Sequence, residues 1–324
     1  MRNPTYSGVI DAARQIAPAA VRTPLIEHPA LNAAVGGRVL MKAESLQVAG
    51  AFKFRGAYNR ISRLTEEERA LGVVAFSSGN HAQGVAAAAR FMDTKATIVM
   101  PNDSPKVKVD GVRSFGGEVV FYDRWTESRE QIGADIAANH GSILVPPFDD
   151  PFIIEGQGTC AIELLDDADA PIDQMLCGAS GGGLLAGINL VMAERSPQTS
   201  IYVVEPEDFD DTRRSLKAGQ RVAYTDGKPS ICDALMAPMP GELTFPVNQR
   251  LSGALTVSDA EVCEAMRFAF RHLKLVIEPG GAVSLAALLS GKIDAKDKTT
   301  AVILSGGNVD PEQFGDIIAG RFNG

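Results

Sequence analysis

The amino-acid sequence predicts an α/β protein built from two open, mainly parallel sheets. Short apolar runs alternate with longer amphipathic stretches along most of the 324 residues, which is typical of repeated βα units. Several of the apolar runs are nearly continuous, as expected for strands that are covered by helices on both faces. The length is appropriate for about two domains.

The most regular alternation lies in residues 72–148. Four predicted strands occur there, with the sequences GVVAFSS, ATIVMP, EVVFYD and ILVPPF. Three predicted helices separate them, over residues 80–92, through Lys108 and Arg113, and over residues 127–139. We therefore predict a small domain over residues 72–148, inserted between residues 1–71 and 149–324, which together form a large domain.

The second series of βα units belongs to the predicted large domain. Its strands are QMLCGA, SIYVVE and TAVILSGG, and its helices follow Gly183, cover residues 260–273 and follow Gly280. In open α/β sheets, ligands bind beyond the carboxyl ends of the strands. The polar and glycine-rich segments that end these strands are therefore the candidate site, and we expect it in the cleft between the domains.

Composition excludes several classes of protein. The net charge is −9 and the Lys and Arg residues are scattered, so no basic face for nucleic acid is expected. No segment approaches the ~18 uninterrupted apolar residues of a membrane span, and the first residues lack the apolar core of a secretory signal. The four cysteines follow neither CxxC nor zinc spacing, which favours reduced thiols in a soluble cytoplasmic protein.

A glycine run, GASGGG over residues 178–183, stands between a predicted strand and a predicted helix. Glycines let a phosphate approach the backbone N–H groups, and the helix N-terminus attracts negative charge. Gly181, Gly183 and Ala186 also satisfy the dinucleotide pattern GxGxxA, with Glu205 about 20 residues further on. A third interpretation is a tight turn that binds no ligand. The run alone leaves all three open.

The segment SLQVAGAFKFRG, residues 45–56, places Lys53 between Phe52 and Phe54 among small apolar residues. Partial desolvation lowers the pKa of a lysine and frees its amine to form a Schiff base. A surface lysine on an amphipathic helix is the alternative. The apolar context favours a reactive amine.

Two further polar segments end predicted strands. SSGNHAQ, residues 77–83, offers hydroxyls, an amide and consecutive N–H groups at a helix start, which together suit a carboxylate. His81 in this segment is either a general base or a hydrogen-bonded structural histidine. SGGN, residues 305–308, places a serine where it can hydrogen-bond an aromatic nitrogen, unless the segment is an ordinary polar turn.

In this order, the four motifs resemble the threonine/serine dehydratase and serine racemase family of pyridoxal-phosphate (PLP) enzymes, the fold type II group. The resemblance covers nearly the whole chain and implies a tryptophan synthase β-like fold. It includes four further motifs, RTPL at residues 22–25, IEGQGT at 154–159, EPGGA at 278–282 and NVD at 308–310.

The resemblance implies a role for each matching residue. Lys53 holds PLP as a Schiff base and takes the Cα proton, and Ser78 acts on the opposite face of the cofactor. Phe52 lies against the ring, Asn80 bonds its 3-hydroxyl and Ser305 meets its nitrogen. The phosphate is bound by Ser180, Gly181, Gly182, Gly183 and Leu184, and the substrate carboxylate by Ser77, Ser78, Asn80 and His81.

Departures from the family pattern concern three residues. Ser180 and Ala234 stand where glycine is usual, and Glu155 replaces a small residue. Ser180 still offers a hydroxyl to phosphate, whereas Ala234 and Glu155 are candidates for altering substrate choice.

An acidic segment, residues 205–211, matches a cation site of many relatives. The resemblance implies Mg²⁺ or Ca²⁺ held by Glu205, Asp211 and the carbonyl of Phe209, and hard oxygen ligands suit either ion. An acidic loop on a net acidic protein is the alternative.

The function that the resemblance implies is elimination of water from a 3-hydroxy amino acid, L-threonine or L-serine first, giving a 2-keto acid and ammonia. Racemisation of serine and dehydration of 3-hydroxyaspartate are alternatives on the same scaffold. The latter requires a cation for the second carboxylate, and Arg129 matches a position that lines the cleft in relatives. A dinucleotide-dependent oxidoreductase is the alternative of a different class. We also expect a homodimer.

Overall fold

The computed structural model describes residues 2–77, 79–104, 106–123, 125–224, 228, 230–322 and 324. The strands of this part of the chain, numbered in chain order, are β1 (Leu25–Glu27), β2 (Arg38–Ala43), β3 (Val73–Phe76), β4 (Ala96–Pro101), β5 (Glu118–Tyr122), β6 (Ile143–Leu144), β7 (Gln174–Gly178), β8 (Ser200–Pro206), β9 (Gly253–Val257) and β10 (Thr299–Leu304). They form one six-stranded sheet and one four-stranded sheet.

The helices of the same residues are α1 (Tyr6–Ile16), α2 (Pro29–Val35), α3 (Lys53–Ile61), α4 (Glu66–Leu71), α5 (Asn80–Phe91), α6 (Lys106–Ser114), α7 (Arg129–His140), α8 (Pro151–Asp167), α9 (Gly183–Arg195), α10 (Asp211–Ala218), α11 (Thr244–Asn248), α12 (Asp259–Phe268), α13 (Pro279–Leu289) and α14 (Pro311–Ile318). A π turn, Ala269–Leu273, extends α12. A 3₁₀ turn, Asp233–Leu235, lies between α10 and α11. None of the helices in the described ranges is long and apolar enough to cross a bilayer.

The four-stranded sheet has the order β5-β4-β3-β6, and all its pairs are parallel. Its strands and the helices α5, α6 and α7 between them are those predicted for residues 72–148. Ser128 caps α7 by accepting a hydrogen bond from the amide of Gln131 at 3.2 Å. A side-chain acceptor of this kind satisfies one of the free N–H groups of the first turn and so helps to start the helix there.

The six-stranded sheet has the order β1-β2-β10-β7-β8-β9. Only the β1–β2 pair is antiparallel, so the predicted mainly parallel α/β class is confirmed. The edge strand β9 was not predicted. Its sequence, GALTV, begins with two small residues and is only half buried, so it lacks the continuous apolar run of the inner strands.

Helix α3 joins the two sheets. Its buried Phe54, Ala57 and Ile61 pack into the same core cluster as Val85 of α5 and Ile153 of α8. Because α3 begins at Lys53, the lysine lies where the two halves of the molecule meet. The predicted domain boundaries stay a prediction, since α3 shares its core with both sides.

The four cysteines are all unpaired and buried. Burial raises the pKa of the Cys263 thiol to about 11 and raises that of the Cys177 thiol further. These are structural thiols, as the sequence predicts.

Candidate active site

A single cleft collects every described residue that the sequence assigns to PLP or to the substrate. These residues are Phe52, Lys53, Ser77, Asn80, His81, Ser180, Gly181, Gly182, Gly183, Leu184 and Ser305. They come from the carboxyl ends of β3, β7 and β10 and from the starts of α3, α5 and α9. The remaining predicted residue, Ser78, lies outside the described residues.

Lys53 is positioned by the turn that starts α3. Its Nζ donates a hydrogen bond to the carbonyl of Pro147 at 2.7 Å and lies 5.2 Å from the centre of the Phe52 ring. Burial lowers the pKa of Lys53 to about 8, because the desolvated ammonium loses its hydration. A considerable fraction of the amine is therefore neutral near physiological pH and able to attack a carbonyl carbon.

The glycine loop is backed by side chains that exclude any residue larger than glycine. A Cβ at Gly181 would lie 2.4 Å from the ring of Phe148, and one at Gly182 would lie 2.7 Å from Nδ2 of Asn248. Gly182 also has a φ of 86°, a left-handed conformation that glycine adopts without strain. The first N–H groups of α9 have no acceptor within the helix. The loop is thus a compact turn facing the cleft, with a geometry suited to an anion.

The amide of Asn80 is held by the buried Glu278 and the partly buried Asn308. Its Nδ2 donates to Oε1 of Glu278, and its Oδ1 accepts from Nδ2 of Asn308 at 2.8 Å. Burial and the negative charge of Asp233 raise the pKa of Glu278 to about 7. Glu278 is a site residue that sequence reasoning missed. The signal was the EPGGA motif, which was noted without a role for its glutamate.

The imidazole of His81 is buried and neutral. Burial lowers its pKa to about 3, with the nearby charge of Lys53 acting in the same direction. Its Nε2 hydrogen-bonds the carbonyl of Val145 at 2.9 Å, so Nε2 carries the proton and donates. The ring consequently has no N–H left for a substrate carboxylate. Any contribution of His81 to carboxylate binding comes from its backbone amide at the start of α5.

Ser305 follows the last residue of β10 and lines the cleft. Its side chain is almost fully buried, and its carbonyl accepts a hydrogen bond from the amide of Phe52 at 3.1 Å. Phe52 and Ser305 are therefore fixed relative to each other, although 253 residues separate them in the sequence.

Three charged residues of the cleft lie outside the motifs, and of these the sequence resemblance to the family pointed to Arg129 alone. Lys108 of α6 forms an ion pair with Asp233 of the 3₁₀ turn, and both residues line the cleft. Arg129, at the start of α7, also lines the cleft. Its Nε donates to Glu130 at 2.8 Å, and its guanidinium lies 5.7 Å from the centre of the Phe76 ring.

The two departures considered for substrate choice have different positions. Ala234 lines the cleft, as the prediction requires. Glu155 does not: it is buried on α8 and forms a two-pronged ion pair with Arg2, both distances being 2.5 Å, and it also accepts from the amide of Thr5 at 3.0 Å. Glu155 therefore fixes the N-terminal segment, and the idea that it alters substrate choice is wrong.

The acidic segment begins with Glu205 near the end of β8, and its residues are not among those that line the cleft. The carboxylate of Glu205 accepts from the amides of Thr212 and Arg213, at 2.8 and 2.9 Å. Neither carboxylate oxygen of Asp211 has a hydrogen-bond partner among the described residues. Burial raises the pKa of Glu205 to about 7 and that of Asp211 to about 8, the second with a contribution from Glu205.

A desolvated carboxylate without a partner beside a second one fits a hard cation, which would supply the missing positive charge. The described residues contain no cluster of three or more His, Cys, Asp or Glu side chains suited to a metal, so further ligands here would be backbone carbonyls or water. Because Glu205 faces α10 rather than the cleft, the geometry gives no support to the dinucleotide alternative.

PLP fits the donors of the cleft. The cofactor needs a reactive amine, an anion-binding turn for its phosphate and polar groups at its ring edge. Lys53, the loop of Gly181 to Gly183, and the pair of Asn80 and Ser305 supply these in one cavity.

Comparison with known proteins agrees with this chemistry. A family model described as pyridoxal-phosphate dependent enzyme matches residues 16–306. The chain is 44% identical over 321 residues to an L-threo-3-hydroxyaspartate ammonia-lyase of a Pseudomonas species, covering 99% of this chain and 100% of that protein. It is 40% identical over 322 residues to an L-threo-3-hydroxyaspartate ammonia-lyase of Saccharomyces cerevisiae, covering 99% and 98%.

Among solved structures, maize serine racemase superposes with a TM-score of 0.93 at 35% identity, over 99% of this chain and 98% of that one. The sequence resemblance to fold type II is thus confirmed by fold and by family. The chain belongs to the pyridoxal-phosphate-dependent enzyme family that includes hydroxyaspartate ammonia-lyases and serine racemases, and pyridoxal phosphate is its cofactor.

Proposed function

We propose that the protein is a PLP-dependent ammonia-lyase that removes water from 3-hydroxyaspartate and releases oxaloacetate and ammonia. The observation that carries this proposal is the presence in the cleft of cations beyond Lys53, namely Lys108 and Arg129. The amides at the start of α5 are sufficient for a substrate with one carboxylate. A dicarboxylate needs a positively charged site in addition to these amides. The sequence placed threonine and serine first and 3-hydroxyaspartate as an alternative, and the similarity to two hydroxyaspartate ammonia-lyases supports that alternative.

The residues of the chain have the following roles in this proposal. The loop of Gly181 to Gly183 binds the cofactor phosphate, and Asn80, oriented by Glu278, meets the 3-hydroxyl. Bound PLP supplies the electron sink for the pair released when the Cα–H bond breaks. The Nζ of Lys53 takes the Cα proton, since its lowered pKa lets a neutral amine act as a base near pH 7.

Substrate orientation depends on the other wall of the cleft. We assign the α-carboxylate to the amides and hydroxyls of residues 77–81, of which Ser77, Asn80 and His81 line the cavity. Ser305 at the cofactor nitrogen donates a hydrogen bond but brings no negative charge. The ring nitrogen is then not held protonated, which favours rapid loss of the 3-hydroxyl over competing reactions.

A substrate panel with the PLP-loaded enzyme tests the assignment. We expect kcat/KM for L-threo-3-hydroxyaspartate to exceed that for L-serine and L-threonine by at least about tenfold, since a charge-assisted pair adds a few kcal/mol. Keto acid and ammonia are measured together, and chiral chromatography measures D-serine. Preference for serine or threonine would contradict the proposal, and D-serine as the main product would favour racemase activity.

Three further features belong to the proposal. We assign Mg²⁺ or Ca²⁺ to Glu205, Asp211 and the carbonyl of Phe209, on the strength of the unpartnered Asp211 carboxylate. We also propose a homodimer in the cytoplasm. Size-exclusion chromatography with light scattering measures the oligomeric state, and localisation of the tagged protein identifies its compartment.

A further inference from the structure

Lys108 and Asp233 form an ion pair that connects the two sides of the cleft. Lys108 is on α6, which packs on the four-stranded sheet side, and Asp233 begins the 3₁₀ turn on the six-stranded sheet side. Their positions differ by 125 residues, and both line the cavity that contains Lys53. The pair therefore spans the space that a substrate must enter.

The two partners differ in their access to solvent. The side chain of Lys108 is 10% exposed, whereas that of Asp233 is 42% exposed. A buried ammonium requires an anion beside it, since little water is available to solvate its charge. Asp233 has water on one side and is solvated when it moves away. The cation is thus the fixed member of the pair and the carboxylate the exchangeable one.

Arg129, the other cation on the four-stranded sheet side of the cleft, is less suited than Lys108 to discriminate between substrates. Its side chain is 44% exposed, and its Nε already donates to Glu130 on the same helix. An exposed charge contributes less discrimination than a buried one, because water and salt screen it.

We propose that Lys108 binds the second carboxylate of the substrate and that Asp233 occupies this position when no dicarboxylate is present. The proposal rests on the proposed function and assigns its specificity. The side chain of Asp233 is itself a carboxylate on a short stem, so the exchange replaces one anion by another and leaves Lys108 paired. Serine and threonine bring no second anion and leave the resident pair in place.

The Lys108–Asp233 pair discriminates between substrates with one and two carboxylates in two ways. Lys108 attracts a dicarboxylate, and Asp233 competes for the same cation, so that only a ligand with a well-placed second carboxylate displaces it. The competition lowers the apparent affinity for the dicarboxylate, because a part of the protein is always in the occupied form.

Kinetics of charge variants provide the first test. We expect Lys108→Met to lower the ratio of kcat/KM for 3-hydroxyaspartate over that for serine by about 10- to 100-fold, as for loss of one partner of a buried charge pair. Lys108→Arg keeps the charge and should keep the ratio within about threefold of the native value. Lys106→Met is the matched control, because Lys106 is on the same helix but its side chain is 88% exposed outside the cleft.

Binding of an unreactive dicarboxylate provides a second test. Succinate has the four-carbon skeleton of hydroxyaspartate, and butyrate is its match with one carboxylate. We expect Asp233→Asn in the PLP-loaded enzyme to bind succinate about three- to tenfold more tightly, measured as the ligand-dependent rise in Tm. Butyrate should show no such gain. If Asp233→Asn does not fold, Asp233→Ala removes the same competitor.

The outcomes separate this proposal from the proposed function. If the native enzyme prefers hydroxyaspartate but Lys108→Met lowers kcat/KM for both substrates equally, Lys108 has only a structural role and Arg129 is left to bind the second carboxylate. Unchanged or weaker succinate binding by both Asp233 variants would overturn the exchange. A native enzyme that ignores hydroxyaspartate would overturn the proposed function itself, and this inference with it.

Discussion

Two helices on opposite walls of the cleft, α9 and α7, differ in how deeply they are buried. Helix α9, which begins at the glycine loop on the six-stranded sheet side, has nine buried residues among its 13, whereas α7, which presents Arg129 on the other side, has Gly133 alone buried among its 12. Regions with few buried apolar contacts open at lower free energy than the core. The part of the cofactor wall that carries the glycine loop is therefore built to hold one geometry. The part of the substrate wall that carries Arg129 is the one that adapts, whereas α5 of the same wall is buried along most of its length.

The same contrast appears in the charges. Arg55, two residues beyond Lys53, is fully buried and donates to Glu44 at 2.8 Å and to Glu163 at 2.7 Å. The charges of the substrate wall, Lys108 and Arg129, face the cleft instead. A closed network fixes the helix that carries Lys53, whereas charges at a cavity remain available to a ligand.

Removal of the amine should give the largest effect. We expect Lys53→Ala to lower kcat by at least about 10⁴-fold, because it removes the group that holds PLP and the base for the Cα proton together. Keto-acid release measures the loss. Borohydride reduction of the native protein followed by peptide mapping should place the cofactor on Lys53, and a label on another lysine would contradict the assignment.

Opening the charge network on the cofactor side should destabilise the fold. Arg55→Met leaves Glu44 and Glu163 without their shared cation, and we expect the free energy of unfolding to fall by about 3–5 kcal/mol. Arg22→Met is the matched control, because Arg22 pairs with Asp167 at the surface, where the loss should stay below about 1 kcal/mol. Denaturant titrations measure both. Equal losses would mean that burial of the network is unimportant.

One glycine-to-alanine substitution on each wall compares how well the two walls tolerate an added methyl group. Gly181→Ala places a Cβ 2.4 Å from the ring of Phe148, whereas a Cβ at Gly79 has no atom of the described residues within 4 Å, apart from those of its own helix and chain neighbours. We expect the Kd for PLP to rise about 10- to 100-fold in Gly181→Ala, since overpacking costs about 1–3 kcal/mol. Gly79→Ala should change this Kd by less than about threefold. Spectrophotometric titration of the apoenzymes with PLP provides the values.

The pKa of Lys53 predicts the pH dependence of cofactor loading. The neutral amine is the nucleophile, and burial lowers its pKa from the ordinary value to about 8. The rate of reconstitution of the apoenzyme should therefore rise about tenfold from pH 7 to pH 9 and change little above that range. Stopped-flow absorbance measures it, and a rate that keeps rising towards pH 10.5 would show an unperturbed lysine.

The smallest expected effect concerns the acidic segment, which lies outside both walls. Chelation should lower Tm by about 5 °C, because the buried Asp211 and Glu205 carboxylates lose their counter-charge, and Ca²⁺ or Mg²⁺ should restore it. Asp211→Asn should abolish the response to the cation. Indifference of the native protein to chelator would leave only an acidic loop.

Site residues in local motifs could be predicted from the sequence, and site residues that act through distant contacts could not. Lys53, the glycine loop and Ser305 lie in short motifs whose chemistry is local, so they are visible without a structure. Glu278 acts through Asn80, and the Lys108–Asp233 pair depends on residues 125 positions apart. Contacts of this kind are set by the packing of two sheets, and no local pattern encodes them.

Strands and helices show the same limit. The inner parallel strands were predicted because both faces are buried and the apolar runs are continuous. The edge strand β9 is half buried and escaped prediction. Glu155 was misinterpreted because its substitution is evident in the motif, whereas the direction of its side chain towards Arg2 depends on how the N-terminal segment folds back.

The reactivity of the four buried cysteines reports local opening of the native structure. Because burial raises the thiol pKa of each, almost no thiolate is present at neutral pH while the native packing persists. Alkylating reagents and peroxides then react only with molecules in which the region around that sulfur has opened. Cys177 is the penultimate residue of β7, beside the glycine loop, whereas Cys263 lies on α12. Mass spectrometry of each modified peptide would therefore time the opening of separate parts of one chain.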